Sequence, residues 1–171
     1  GSSSSAGPSP LKGRTVVVVG AGGAGRALAF GAASRGATVL VANRNRERAA
    51  QLVAATGQGA AVLDWEDLIT GRVTADVLAN STAVGMSPKD QESPVPAETL
   101  KNYKLVFDAV YTPMWTRLLL DAQAEGCQVV DGLQMFVGQA VRQFEFFTKQ
   151  PAPLELMQQT MLDALASGQK K

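Results

Sequence analysis

The chain has 171 residues, a formal net charge of +1 and an apolar fraction of 46%, values that fit one globular domain with a sizeable core. A near-zero net charge gives no indication of a nucleic-acid or membrane partner. Histidine is absent and cysteine occurs once, so an internal disulfide is excluded, no zinc-type metal site is expected, and any acid–base chemistry must use other groups. No apolar run approaches the roughly 20 residues of a membrane span.

Residues 1–10 consist mainly of Ser, Gly and Pro, which is typical of a flexible linker or tag remnant. We therefore expect folded structure to begin near Leu11. The single thiol, Cys127, precedes a predicted strand and is expected to be a small buried residue. It fits an intracellular, reducing compartment, the plastid if the chain comes from a plant and otherwise the cytoplasm.

The first folded segment combines a strand, a glycine turn and a helix. Residues 16–19 are four valines, a run that predicts a strand buried on both faces of a parallel sheet. The sequence GAGGAG follows at once and opens an alanine-rich helix. Gly20 permits the tight turn, Gly22 lets the backbone approach a pyrophosphate, and Gly25 lets the helix pack close to the strand. Free N–H groups at the helix start would face the phosphates.

The second predicted strand, residues 37–42, ends in the sequence NRNR rather than in an acidic residue. An acid at this position accepts hydrogen bonds from a ribose 2′-hydroxyl and selects NAD, whereas an arginine pairs with a 2′-phosphate and selects NADP. Arg44, Arg46 and Arg48 supply that charge, so the pattern predicts NADP. The alternative is a solvated helix start, although positive charge there opposes the helix dipole.

Strands and helices alternate along the rest of the chain. We predict helices at 47–56, 116–125, 133–149 and 154–166, a helical turn N-capped by Asp64, and strands at 61–63, 76–79, 105–110 and 128–130. The alternation indicates an α/β fold, a Rossmann-type doubly wound parallel sheet of about six strands in three αβα layers. Domain boundaries are placed at 11–150 for the sheet domain and at 151–171 for a C-terminal helix and tail.

A polar, proline-rich loop at residues 80–96 follows one of these strands. In open α/β sheets, ligands bind outside the carboxyl ends of the strands, and loops of this length are usually functional. The loop is therefore a second part of the candidate site.

Five segments occur in the order and spacing of the shikimate dehydrogenases, and the chain resembles the cofactor-binding C-terminal half of that family. They are GAGGAGRA at 20–27, ANRNRERA at 42–49, ANSTAVGM at 79–86, VFDAVYTPMWTRLL at 106–119 and DGLQMFVGQA at 131–140. The resemblance extends over about residues 11–166 and is strongest to the plant bifunctional members. It implies reversible, NADP-linked reduction of 3-dehydroshikimate to shikimate.

The resemblance also implies which residues contact the cofactor. Pyrophosphate contacts fall on Gly20, Gly22, Gly23 and Ala24. The 2′-phosphate positions are Asn43, Arg44 and Arg48; Asn45 stands where the family usually has Thr, and its side chain can still bond a phosphate or ribose. The ribose and nicotinamide positions are Asn80, Ser81, Thr82, Gly132 and Met135.

On the substrate side, the resemblance assigns contacts to Tyr111 and Gln139. Alternatives stay open: Tyr111 could be a strand-end aromatic packed under a loop, Gln139 a satisfied buried amide, and Met135 a core residue. Asp108 is expected to hold a loop rather than to act in catalysis.

In the family, a Lys–Asp pair in an N-terminal domain transfers the proton, and no segment of this sequence matches the motif around that lysine. We therefore expect no catalytic residue in this chain, which would bind NADP with little turnover by itself. The implied partners are shikimate or 3-dehydroshikimate, the N-terminal substrate domain and a fused dehydroquinate dehydratase domain. The apolar stripe of the last helix would pack towards the substrate domain. A quinate/shikimate dehydrogenase relative and a non-catalytic dinucleotide sensor remain alternatives.

Overall fold

A computed structural model describes residues 9–168, so nearly all of the predicted linker and the last three residues lie outside the described residues. The chain forms one six-stranded sheet in the order β3-β2-β1-β4-β5-β6, and every neighbouring pair is parallel. The predicted doubly wound α/β sheet is thereby confirmed. The strands are β1 Thr15–Val19, β2 Thr38–Ala42, β3 Ala60–Val62, β4 Ala75–Asn80, β5 Tyr103–Asp108 and β6 Gln128–Val130.

Six α-helices and one 3₁₀ helix connect and flank these strands in the described part of the chain. They are α1 Gly23–Ala33, α2 Arg46–Thr56, α3 Trp65–Ile69, α4 Arg117–Ala124, α5 Gly132–Thr148, α6 Leu154–Gly168 and the 3₁₀ helix Ala97–Asn102. None of these helices has the length and apolar character needed to cross a bilayer.

The core lies on both faces of the sheet, as the valine run predicts. Val17 and Val19 pack into one cluster with Leu78 of β4, while Val16 and Val18 pack into a second cluster with Leu52 of α2. Burial of one such side chain stabilises the fold by about 1.5–3 kcal/mol. Because β1 is central and buried on both faces, the turn that follows it is held on a rigid support.

Two sequence predictions need correction. Asp64 precedes α3, but its carboxylate makes no capping hydrogen bond and instead forms an ion pair with Arg46. β5 ends at Asp108 rather than at 110, because the Asp108 carboxylate accepts a hydrogen bond from the Val110 amide and turns the chain. Residues 97–102, which carry no predicted element, form the 3₁₀ helix.

Cys127 is buried, as predicted. Its Sγ lies 3.2 Å from the Leu100 carbonyl oxygen and 3.3 Å from that of Tyr103. Burial raises the pKa of the thiol, so the structure gives it the character of a core side chain.

The last two helices pack against each other. In α6, the predicted apolar stripe divides, because Met157 and Met161 are half-buried whereas Leu154 and Leu162 are exposed. Gly132 and Val137 are the buried residues of α5, so this helix stands away from the sheet and leaves a groove between itself and α1. The groove forms one wall of the site described below.

Candidate dinucleotide-binding site

The candidate site lies where the carboxyl ends of β1 and β4 meet. The strand order reverses between these two neighbours, and this reversal is the point at which open α/β sheets bind ligands. In the register of the pair, Val19 lies beside Asn80. The glycine turn after β1 and the 81–85 segment after β4 are therefore brought together at one edge of the sheet.

Two positions near the glycine turn require glycine because the Ser81 side chain occupies the space beside them. Gly20 has a φ of +104°, and a Cβ there would lie 2.6 Å from the Ser81 Oγ. A Cβ on Gly25 would lie 2.3 Å from the Gly20 carbonyl oxygen and 2.7 Å from the same Oγ. Ser81 is fixed in turn, because its amide and hydroxyl both donate to the Val19 carbonyl at 2.8 and 2.7 Å. Ser81 thus supports the turn from behind.

The outer side of the turn fits an anion. Gly22 is the N-cap of α1 and, having no side chain, makes no capping hydrogen bond to the helix N-terminus. A Cβ on Gly22 or Gly23 would meet nothing within 4 Å, so the space in front of both residues is open. Unpaired N–H groups and the positive end of an 11-residue helix form a phosphate-binding arrangement. The predicted pyrophosphate contacts of Gly20, Gly22, Gly23 and Ala24 are compatible with this geometry.

A cavity of about 360 Å³ lies beyond the end of β2. The lining residues are Asn43, Arg44, Arg46, Leu63, Asp64, Trp65, Glu66 and Asp67. The Arg44 guanidinium carbon lies 5.7 Å from the centroid of the Trp65 ring, and Arg46 forms its ion pair with Asp64. Two of the three predicted arginines therefore meet at one cavity. All three are exposed, but Arg48 is not part of the lining.

The two asparagines of the NRNR segment build the turn between β2 and α2. Asn43 Nδ2 donates to the Asn45 carbonyl at 2.9 Å. Asn45 is the N-cap of α2, and its Oδ1 accepts from the Arg48 amide at 3.1 Å. These bonds hold the backbone on both sides of Arg44. Sequence reasoning missed Trp65, which the neighbouring strand β3 brings beside Arg44.

A buried polar network joins the ends of β4 and β5. Asn80 and Asp108 are fully buried and lie opposite each other in the strand register. Asn80 Nδ2 donates to Asp108 Oδ1 at 2.9 Å, and Asn80 Oδ1 accepts from the amide and hydroxyl of Thr82 at 3.0 and 2.8 Å. The hydrogen bonds of the Asn80 side chain thus hold the 81–85 segment in place. Thr82 is more exposed to solvent than Asn80.

Asp108 extends the same network to the next loop. Its Oδ2 accepts from the Thr116 hydroxyl at 2.6 Å, and its Oδ1 also accepts from the Val110 amide at 3.0 Å. Burial raises the pKa of this carboxyl, while hydrogen bonds from Thr116, Val110 and Asn80 act in the opposite direction. Asp108 holds the loop that carries Tyr111, in agreement with the structural role expected from the sequence.

The predicted substrate side lies around the start of α5. A Cβ on Gly132 would lie 2.5 Å from the Ala109 carbonyl oxygen, so glycine lets α5 begin against the loop after β5. Gly132 is buried, and it packs closely against the loop after β5. Asp131 caps the helix by accepting from the Leu133 amide at 2.9 Å. Tyr111 is half-buried, with its ring centroid 4.8 Å from that of Phe136.

Gln139 and Met135 line a cavity of about 1150 Å³ between α1 and α5. Ala24, at the start of α1, lines the same cavity, so one predicted pyrophosphate residue and one predicted substrate residue, Gln139, border one continuous space. Gln139 is exposed, which makes the buried-amide alternative wrong.

Among residues 9–168 no group of three His, Cys, Asp or Glu side chains could hold a metal ion.

Comparison with known families gives two matches. A model described as shikimate/quinate 5-dehydrogenase matches residues 4–110, and one described as the shikimate 5′-dehydrogenase C-terminal domain matches residues 132–162. Together they include the glycine turn, the arginine cavity, the 81–85 segment and α5.

Individual relatives agree with these matches. The chloroplastic bifunctional 3-dehydroquinate dehydratase/shikimate dehydrogenase of Arabidopsis thaliana is 53% identical over 90% of this chain and 25% of its own length. The shikimate dehydrogenase (NADP(+)) of Halorubrum lacusprofundi is 50% identical over 86% of this chain and 53% of its own length.

A solved structure shows the same architecture. Shikimate 5-dehydrogenase from Thermus thermophilus, in complex with NADP(H) and shikimate, superposes with a TM-score of 0.79 at 36% identity. The match covers 91% of this chain and 57% of that protein. The chain thus spans about half the length of these single-function relatives and a quarter of the bifunctional one.

Proposed function

The chain belongs to the shikimate/quinate dehydrogenase family, and from that premise we propose that it is the NADP-binding part of a shikimate dehydrogenase. The observation that carries the proposal is the pairing of an uncapped helix N-terminus at Gly22 with an arginine-lined cavity beyond β2. A pyrophosphate and a 2′-phosphate are the two anionic parts of NADP, and each has a matching site. When bound, the cofactor supplies hydride transfer to or from a substrate carbon.

The residues of this chain bind and orient the reactants. Gly22, Gly23 and Ala24 receive the pyrophosphate, and Arg44 pairs with the 2′-phosphate. Thr82, held by Asn80, and Met135 lie towards the ribose and nicotinamide. Tyr111 and Gln139 face 3-dehydroshikimate or shikimate, the substrates we propose from the named relatives.

The groove between α1 and α5 is a candidate surface for binding a partner domain. Its lining is mainly apolar and includes Phe146 and Phe147, which are 67% and 78% exposed. Exposed aromatic groups around a large groove indicate an interaction surface. We propose that an N-terminal substrate domain covers this groove and supplies the Lys–Asp pair that transfers the proton, since the relatives are about twice as long.

The Arabidopsis relative carries a dehydroquinate dehydratase activity in its name, and a fused domain of that kind is part of the proposal. Its name also describes it as chloroplastic, which supports a plastid location if this chain comes from a plant. Because the family model is described by both shikimate and quinate, quinate is the second candidate substrate.

Reconstitution tests the proposal. The chain alone is expected to bind NADP and to give no measurable shikimate oxidation, whereas adding the separately prepared N-terminal domain of the Arabidopsis relative should restore NADPH formation. Full turnover by the chain alone would contradict the division of the active site, and absence of NADP binding would contradict the cofactor assignment. Quinate, supplied in place of shikimate to the reconstituted pair, decides between the two substrates.

A further inference from the structure

Trp65 lies against an arginine at the cavity beyond β2. It is the first residue of α3 and lies three positions after the end of β3, and Arg44 lies two positions after the end of the neighbouring strand β2. The Arg44 guanidinium carbon stands 5.7 Å from the centroid of the indole ring, within the range of a cation–π contact. Trp65 is half-buried, so its ring has a fixed support and a face turned to the cavity that both residues line.

Of the other charged residues that line this cavity, three take part in ion pairs, and Glu66 makes none within residues 9–168. Arg46 forms an ion pair with Asp64, and Asp67 forms one with Arg72. Within residues 9–168 Arg44 makes no ion pair, and its guanidinium lies over the Trp65 ring. Arg44 therefore keeps its donors available for an anion while its position is held by an aromatic face.

We propose that Trp65 is a specificity-determining residue for NADP over NAD, because its ring holds the Arg44 guanidinium where the cofactor's 2′-phosphate binds. The inference rests on the proposed function. An arginine side chain loses considerable rotamer freedom when it is fixed on a ligand. A ring that orders Arg44 beforehand reduces that loss, and the gain appears only for a ligand that Arg44 contacts. NAD lacks the 2′-phosphate and should gain little.

The experiment measures the dissociation constants of NADP and NAD for the wild type, Trp65→Leu and Trp65→Phe. Leucine removes the aromatic face and should weaken NADP about three- to tenfold while changing NAD less than twofold. Phenylalanine keeps a smaller face and should give an intermediate loss. NAD is the matched control in each variant, because misfolding would weaken both ligands.

Two further measurements test the coupling. In an Arg44→Ala background, Trp65→Leu should no longer change the NADP-to-NAD ratio, because the group that the ring positions is absent. The chain has two tryptophans, so Trp115→Phe leaves Trp65 as the single indole fluorophore. In that variant NADP should change the emission saturably at the concentration given by its dissociation constant.

Each outcome separates the two proposals. Equal weakening of NADP and NAD by Trp65→Leu, with thermal unfolding unchanged from the wild type, would overturn the inference, since the ring would then contact the adenosine common to both. An unchanged ratio with intact NADP binding would overturn the inference alone. Binding of neither dinucleotide by the wild type would overturn the proposed function, and with it this role for Trp65.

Discussion

Replacing Asp108 tests whether the buried network holds the loops of the site. Asp108→Ala removes the acceptor for three donors, namely Asn80 Nδ2, the Thr116 hydroxyl and the Val110 amide. A buried donor left without a partner costs about 1–3 kcal/mol. Asn80 Nδ2 retains a longer contact of 3.5 Å to the Val84 carbonyl, and the variant also loses the desolvation penalty that raises the pKa of Asp108. We expect a net loss of about 2–4 kcal/mol.

Asp108→Asn is the matched control because it keeps the shape and one acceptor oxygen. That oxygen can still receive the bonds from Asn80 and Val110, whereas the amide group meets Thr116, whose hydroxyl must then find another acceptor. The expected loss in the free energy of unfolding is about 1 kcal/mol. Urea unfolding at neutral pH, with equal m-values, measures both variants. A loss below about 1 kcal/mol for Asp108→Ala, or equal losses for the two variants, would refute the network argument.

The difference in the free energy of unfolding between the wild type and Asp108→Asn should change with pH in a defined direction. Burial raises the pKa of Asp108 above that of the unfolded carboxyl, so the unfolded state releases its proton first as pH rises. The wild type therefore loses stability from the unfolded pKa, near 4, up to the folded value. The Asn variant has no such titration, so its deficit relative to the wild type should shrink as pH rises through this window. A deficit that grows with pH would contradict the assignment.

Three other substitutions follow from the contacts. Gly25→Ala places a Cβ 2.3 Å from the Gly20 carbonyl oxygen, so we expect a loss of more than about 2 kcal/mol in thermal unfolding and loss of dinucleotide binding. Tyr103→Phe removes a buried hydroxyl that has no hydrogen-bond partner within residues 9–168 and whose pKa burial raises to about 12. Chemical unfolding should show unchanged stability or a gain of up to about 1 kcal/mol. The pKa of Asp76 is lowered to about 2, mainly by the hydrogen bond from Lys104. Its ionised carboxylate therefore stabilises the fold above the unfolded pKa, near 4, and this stabilisation is lost as pH falls. Unfolding measured at pH values from about 5 to 2 should show this slope in the wild type and not in Asp76→Asn.

Each of these has a clear contrary result. Gly22→Ala, where a Cβ meets nothing within 4 Å, is the control for Gly25→Ala and should fold with near wild-type stability; equal destabilisation would refute the packing argument. A loss above about 1 kcal/mol in Tyr103→Phe would mean that the hydroxyl has a partner. Parallel acid-unfolding curves for the wild type and Asp76→Asn would contradict the lowered pKa.

The fold was predictable because its signals are local. Four consecutive valines, a glycine turn and alternating strand and helix patterns are enough to indicate a doubly wound sheet. The ends of elements were less predictable, because they depend on side-chain bonds such as that from Val110 to Asp108. The same carboxylate contacts Asn80, 28 residues away, through the register of β4 and β5, which a sequence read in order does not show.

The site was predictable in part for a similar reason. Arg44 and the glycines follow from spacing, but Trp65 joins Arg44 only because β3 lies beside β2. Ser81 and Asn80 share a second difficulty. Short polar side chains after a strand bond either a ligand or the local backbone, and residue type does not distinguish the two. Here both bond within the protein, while their contacts with a cofactor remain a prediction.

The most direct test of the central claim is calorimetric titration of NADP and of NAD into the chain under identical low-salt conditions. We expect one NADP per chain, with NAD weaker by at least about tenfold, because a charge-assisted bond to Arg44 is lost. The difference should narrow as salt screens the 2′-phosphate. Binding of NAD as tight as that of NADP, or binding of neither, would contradict the account.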